Sequence, residues 1–301
     1  MNIGLLSVSL SIYSTKRIAE EAERGGHYIE LIDHTKCSVK LVSGNPQIFL
    51  GNENISDDFD VIIPRIGTNV TRHGAAIVKQ FEMNGVFSTA RSLGITRARN
   101  KVRTLQIMTK KGIPIPETLF SINPENINEQ IEILGGTPVI IKLQEGTQGM
   151  GVILAESRKS AKSILDTFYK LDTSILIQEY IEEARGEDIR IIVVGNKVIA
   201  SMKRSSALEE FRSNVHQGAE TMAIIPTPKE QAIAIKAVKH LGLGVAGVDL
   251  IRSDRGPLLL EANASPGLRG IEEATGINVA QEIIKYVELN RYRRKKQKYY
   301  Q

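Results

Sequence analysis

The sequence predicts an α/β unit followed by two α+β units. Three observations predict it. Strand and helix signals alternate over residues 1–97, two later strand-like runs are joined by a glycine-rich loop, and a closing strand pair flanks the turn SDRGP. At 301 residues the chain has room for two or three domains, each with its own buried core.

In the first unit, residues 3–8 read as a buried strand. Residues 15–24 read as a helix ended by Gly25 and Gly26, and 28–32 as a second strand. Residues 61–63 form a third strand halted by Pro64, and a helix at 72–83 is closed by Asn84 and Gly85. Together these describe a small open parallel sheet. No glycine fingerprint follows the first strand, which argues against a dinucleotide site there. The second unit, 98–187, opens with a helix over 97–111 that ends at Gly112 and Pro114. Strands at 139–143 and 151–155 flank the glycine loop, and a helix at 159–170 leads to a strand at 175–181. In the third unit, 188–290, strands at 188–194 and 197–202 precede a polar connection over 206–220. A helix at 229–241, two closing strands and a helix at 279–289 complete it.

Hydrophobic residues at 42% and charged residues at 24% match ordinary soluble usage and exclude a wholly disordered or collagen-like chain. The one cysteine, Cys37, excludes an internal disulfide framework and a cysteine-rich zinc site, and reads as a reduced filler thiol. The net charge of +5 is local: six cations and no anion fall at 291–298, so the body of the chain is close to neutral. That basic tail, 291–301, reads either as a phosphate-seeking segment or as a solvated terminus. No run approaches the roughly 20 apolar residues that span a bilayer. The first residues lack the basic flank of a signal peptide, so the expected location is the cytoplasm, with no membrane partner.

Four constellations carry chemistry. In the last strand pair, a hairpin symmetric about Arg255 places Asp249 opposite Glu261, with Asn263 two residues on and on the same face. Two facing carboxylates repel unless something positive lies between them. A divalent cation such as Mg²⁺ would resolve the repulsion, and so would an ion pair with Arg252 or Arg255. In KLQEGTQGMGV, Lys142 lies on the face opposite Ile141 and Leu143, while Gly146, Gly149 and Gly151 let backbone amides close over an anion. A strand follows this loop, so it is a hairpin flap over phosphates or an ordinary mobile hairpin, and not a P-loop. Lys101, at a helix start, is either a second phosphate ligand or part of a solvated face. The segment ILIQEYIEEARGEDIR could serve an adenine and a ribose or simply connect two domains. The polar stretch FRSNVHQGAE carries Arg212, Asn214 and His216, and His216 has no zinc-ligand spacing to other histidines.

Taken together these are the parts of a nucleotide site, and the sequence resembles the ATP-grasp ligases. Within them it is very similar to the RimK family, which adds glutamate to the C-terminus of the sixth small-subunit ribosomal protein. The resemblance runs from Met1 to about Leu289 and rests on PRIG at 64–67, RARNK at 97–101 and EGTQGMGV at 145–152. It rests also on QEYI at 178–181, FRSN at 211–214 and NASPGL at 263–268. It implies an ATP-grasp fold behind an N-terminal pre-ATP-grasp domain. It further implies phosphate contacts from Lys101 and Lys142, adenine contacts from Glu179 and Tyr180, and a ribose contact from Asp188. Arg212, Ser213 and Asn214 would close over the triphosphate, and Asp249, Glu261 and Asn263 would bind two Mg²⁺ or Mn²⁺ ions. Arg212, and after it Arg204, would stabilise transition-state charge. The implied substrates are ATP, L-glutamate and a ribosomal protein C-terminus, the implied intermediate is an acyl phosphate, and the implied assembly is a homotetramer. No nucleophilic side chain is needed, in keeping with a sequence that shows no Ser/His/Asp or Cys/His signature.

The departures from the family pattern cluster at MKRSSALEEFRSN, with Ser205 and Glu209 at variant positions, and at Ala219 in place of a usual glycine. These border the expected amino-acid site, which keeps two other readings open. One is an ATP-grasp amino-acid ligase with another acceptor, such as a carrier protein or cofactor. The other is a non-catalytic nucleotide-binding partner of the ribosome that touches RNA through the basic tail.

Overall fold

The computed structural model describes residues 1–122, 126–144, 151–171, 173–206 and 220–298. The N-terminal unit holds a parallel sheet of β1 (Asn2–Leu6), β2 (Tyr28–Ile32), β6 (Val61–Pro64) and β7 (Phe87–Ser88) in the order β2-β1-β6-β7. It is flanked by α1 (Tyr13–Arg24) and α2 (Thr71–Met83). This is the expected open sheet, and Pro64 is its last strand residue rather than a residue beyond it. Proline at a strand end is tolerated because no further ladder bond is required of its nitrogen. A second sheet, unexpected from the sequence, joins β3 (Cys37–Lys40), β4 (Gln47–Leu50) and β5 (Glu53–Asn54) antiparallel.

The expected single helix over 97–111 is two helices, α3 (Ser92–Arg99) and α4 (Lys101–Lys110). Asn100 breaks it. Its backbone is extended and its side-chain oxygen accepts the N–H of Arg103, so it caps α4 and starts a new axis at Lys101. The second unit then builds an antiparallel sheet in the order β10-β9-β11-β8 from β8 (Thr118–Ser121), β9 (Val139–Leu143), β10 (Val152–Ala155) and β11 (Ile175–Glu179). Behind it lie α5 (Ile127–Ile133) and α6 (Arg158–Lys170). Ile141 faces a core shared with Ile131, Leu165 and Ile177, which turns Lys142 to the other face.

The third unit is a five-stranded antiparallel sheet in the order β14-β13-β12-β15-β16. Its strands are β12 (Glu187–Val194), β13 (Lys197–Ser205), β14 (Glu220–Ala223), β15 (Val245–Ser253) and β16 (Gly256–Asn263). β13 is longer than expected, and β14 falls at the end of the expected polar connection. The helix α7 (Pro228–Leu241) starts with a Thr227–Glu230 capping box and Pro228, and ends at Gly242 with φ +83°. After α8 (Arg269–Thr275), α9 (Val279–Lys298) runs through most of the segment expected to be a separate tail. Arg291 donates to Asp60 at 2.7 Å and so belongs to the body of the protein. Among the described residues no helix is long and apolar enough to cross a membrane.

Two large cores join the first and third units. One unites Leu6, Ile62 and Phe81 with Ile191, Ala234 and Leu259, and the other unites Ile3, Leu5 and Ile18 with Ile192, Ile283 and Val287. α4 packs on α7 and β16 and puts Met108 into the first of these cores, whereas the β8–β11 sheet with α5 and α6 has its own core and faces the third unit across a cleft.

Candidate active site

The cleft has a volume of about 580 Å³. Its walls come from all three units. β9 and β11 supply Lys142, Gln178 and Glu179, β12 to β16 supply Asp188, Arg190, Arg204, Asp249, Glu261 and Asn263, and the N-terminal unit supplies Ser7, Thr15 and Arg65.

Asp249 stands opposite Glu261, as expected, but for a different reason. The hairpin is not symmetric about Arg255. Ser253 pairs with Gly256 around a two-residue turn, a register that would set Asp249 against Leu260. A bulge between the pairs 250/259 and 249/261 absorbs Leu260 and brings Glu261 into line.

The charge that meets Asp249 is not Arg252 or Arg255. Arg190, its partner in the ladder, donates from Nε to Oδ1 at 2.8 Å and from a terminal nitrogen to Oδ2 at 2.6 Å. Arg204 reaches the same carboxylate at 3.1 Å and also grips Asp188, its own cross-strand partner, with Nε to Oδ1 at 2.6 Å. Two arginines and two aspartates thus share one face of β12, β13 and β15 because alternate residues of a strand point the same way. Burial alone would raise the Asp249 carboxyl, yet Arg190 and Arg204 outweigh it and hold it well below the usual carboxylate range. For Arg204 burial acts to lower the pKa, and Asp249 and Asp188 overcome it and raise it. Arg252 pairs with Glu230 at 2.7 Å instead, and Arg255 pairs with Glu179.

Glu261 makes no hydrogen bond among the described residues and faces the cleft, where its charge favours protonated Lys142. Asn263 lies beyond it, with Oδ1 accepting the N–H of Ser265 at 2.9 Å. The oxygen donors on this face fit a hard divalent ion in their chemistry. Glu261 and Asn263 line the cleft, whereas Asp249 has most of its acceptor capacity taken by Arg190 and Arg204.

On the facing wall, Lys142 donates to Gln178 at 2.6 Å, and Gln178 in turn donates to Thr118 at 2.7 Å. Burial pushes the Lys142 ammonium down to about 8, with Glu261 opposing and Lys101 assisting the shift. Lys101, at the start of α4, lines the same cavity. Gly151 does not line it. Its φ of +73° suits glycine, and a Cβ there would overlap Leu143, so its role is to let the chain enter β10. Glu179 and Tyr180 line the cleft at the end of β11, where the N–H of Glu117 donates to Glu179 at 2.7 Å. Asp188 also faces the cleft, its carboxylate engaged by Arg204 rather than open toward a sugar. Gly146, Gly149, Arg212, Ser213, Asn214 and His216 lie outside the described residues.

Sequence reasoning passed over Arg190 and gave Arg65 no role. Arg190 could have been found from its alternation with Asp188 on one strand face, whereas Arg65 was visible only as a letter of the PRIG run.

Comparison with solved structures gives the class. The chain superposes on a RimK domain ATP-grasp protein from Sphaerobacter thermophilus with TM-score 0.73 and 22% identity, covering 95% of this chain and 99% of that one. It superposes on the ATP-grasp ligase PsnB, complexed with minimal precursor, Mg and ADP, with TM-score 0.73 and 17% identity over 95% of this chain and 98% of that one. These likenesses define the ATP-grasp fold. Residues 1–95 match the RimK PreATP-grasp domain and residues 98–287 the RimK-like ATP-grasp domain. A relative from Marinobacter nauticus described as a probable alpha-L-glutamate ligase is 51% identical over 290 residues, 96% of each chain. The chain belongs to the RimK family of ATP-grasp ligases.

Proposed function

We propose that this protein uses ATP to add L-glutamate to the C-terminal glutamate of a protein acceptor, the sixth small-subunit ribosomal protein. The observation that carries the reading is the meeting, in one cleft, of Lys142 on β9 and Lys101 at the start of α4 with Glu261 and Asn263 on β16. Such a cleft suits a triphosphate held between cations and a metal-binding edge, and the relative at 51% identity is itself described as a probable alpha-L-glutamate ligase. The same reading carries two Mg²⁺ or Mn²⁺ ions, a homotetramer and a cytoplasmic setting, all from the family resemblance.

In this reading an oxygen of the acceptor's terminal carboxylate attacks the γ-phosphorus of ATP, and the bond to ADP breaks. The amino group of glutamate then attacks the acyl carbon of the resulting acyl phosphate. Phosphate leaves, a proton is released and an amide forms. Lys142 and Lys101 orient the phosphates and neutralise their charge. A divalent ion, held by Glu261 and Asn263 with Asp249 behind them, would supply further neutralisation of the triphosphate. Arg204, fixed between Asp188 and Asp249, keeps its positive charge facing the cleft at every working pH. Glu179 and Tyr180 would line the adenine.

The test is a mass spectrum of a peptide ending in Glu-Glu after incubation with enzyme, ATP, Mg²⁺ and glutamate. Stepwise gains of one glutamate residue with matching ADP release are the expected result. ADP release that requires another amino acid, with no glutamate adduct, would overturn it.

A further inference from the structure

Among the described residues, Arg65 is a charged group in the cleft wall without a counter-ion. It sits just after β6, lines the cavity, and among the described residues makes one side-chain hydrogen bond, from a terminal nitrogen to the carbonyl of Pro266 at 2.6 Å. Among the described residues its Nε, sealed from solvent, has no partner, and no carboxylate reaches the guanidinium. The contrast with Arg190, Arg204, Arg252, Arg255 and Arg291 is direct, because each of those is paired with an aspartate or glutamate. A guanidinium presents five donors suited to a carboxylate, and leaving it buried without an anion is costly. Burial accordingly draws Arg65 down to about 10, with nothing opposing the shift.

The position of Arg65 says what kind of anion it awaits. The β15–β16 hairpin lies along the cleft, and at its turn Arg255 meets Glu179, the end assigned above to the adenine. Glu261 and Asn263 follow toward the other end of β16, and past them the chain reaches Pro266 and Arg65. Arg65 therefore lies at the opposite end of the cleft from the base, beyond the edge assigned to the metal. Behind it, the Arg65 N–H donates to the carbonyl of Leu6, and the buried hydroxyls of Ser7 and Thr15, 2.9 Å apart, satisfy each other.

We infer that Arg65 forms the subsite that receives a non-reacting carboxylate of the ligase's amino-acid substrates. This rests on the ligase reading above. The carboxylate can come from free glutamate or from the side chain of the acceptor's terminal residue, and the chemistry is the same for both.

The experiment compares wild type with Arg65→Lys and Arg65→Met in steady-state ADP release. KM is measured separately for glutamate, for a peptide ending in Glu-Glu and for ATP. Arg65→Met is expected to raise KM for one of the two carboxylate substrates roughly tenfold or more, with ATP KM changed less than about twofold. Arg65→Lys should recover part of the loss, because the charge remains while the paired donors are gone. The substrate whose KM moves identifies the source of the carboxylate. Unchanged KM for both, or an ATP KM that rises by the same factor, would overturn the assignment. If Arg65→Met unfolds, Arg65→Lys alone decides, since a purely structural arginine would alter melting temperature without separating the two KM values. Should wild type turn over ATP with another amino acid, the glutamate reading fails, and that amino acid's KM in both variants still reads the subsite.

Discussion

The β12–β16 wall of the cleft shares two hydrophobic cores with the N-terminal unit, whereas the β8–β11 wall closes around a core of its own. Their charged faces differ in the same sense. Asp188, Arg190, Arg204 and Asp249 cancel one another on the first wall, while the second presents Lys142 on the neutral support of Gln178. The first wall is thus a fixed platform whose charges are spoken for apart from Glu261. The second joins it through a small cluster of Ile181, Ala184, Ile251 and Leu258 and through the Arg255–Glu179 pair, and it presents its lysine charge to the cleft.

The largest expected effect lies at the exception on the fixed wall. Glu261→Ala should lower ADP release at saturating Mg²⁺ by about four orders of magnitude, near 5 kcal/mol of transition-state stabilisation, without a drop in melting temperature. Wild-type turnover in that variant would remove Glu261 from the metal site.

Next comes the platform itself. Asp249→Ala leaves Arg190 and Arg204 facing each other without their shared carboxylate, and should cost about 3–5 kcal/mol in denaturant unfolding. A loss below about 1 kcal/mol would mean that water already screens the network.

A core truncation sharpens the comparison. Leu165 is fully buried in the second unit, so Leu165→Ala should cost about 2–5 kcal/mol. The loss of hydrogen-exchange protection should be confined to β9 and β11. Equal loss across β12 to β16 would show that the two walls unfold together.

Lys142 gives a smaller, pH-dependent effect. Its pKa is lowered from 10.5 to about 8 in the folded chain, so burial disfavours the charged form. The penalty is full below about 8, where both states hold the proton, and it shrinks as pH rises toward 10.5 because only the unfolded chain then stays charged. A triphosphate reverses the preference. ATP binding measured calorimetrically near pH 9 in buffers of different ionisation heat should take up part of a proton, and Lys142→Met should take up none. Equal uptake in both would assign the proton elsewhere.

The smallest effect belongs to a link between the walls. Arg255 is half exposed where it meets Glu179, and Arg255→Ala should cost less than about 1 kcal/mol in unfolding.

The alternation of strands and helices and the N-terminal parallel sheet were legible in the sequence because each follows from local period and turn residues, whereas the facing of Asp249 and Glu261 was reached through the wrong turn and rests on the bulge at Leu260. The arginine partners of Asp249 were not legible. Arg190 lies 59 residues away in sequence, and its pairing depends on β12 lying between β13 and β15. The break at Asn100 was written in the sequence as a capping residue, but the apolar period runs through it and hides it. The β3–β5 sheet escaped notice because its strands have only two to four residues among turn-forming Gly, Asn and Pro.

The central claim is that ATP activates a substrate carboxylate in this cleft, and isotope transfer tests it most directly. The acceptor peptide is labelled with ¹⁸O in its terminal carboxylate, ligated, and the released phosphate is analysed by mass spectrometry. The account predicts one labelled oxygen in each phosphate for every amide formed. Amide formation with unlabelled phosphate would contradict it.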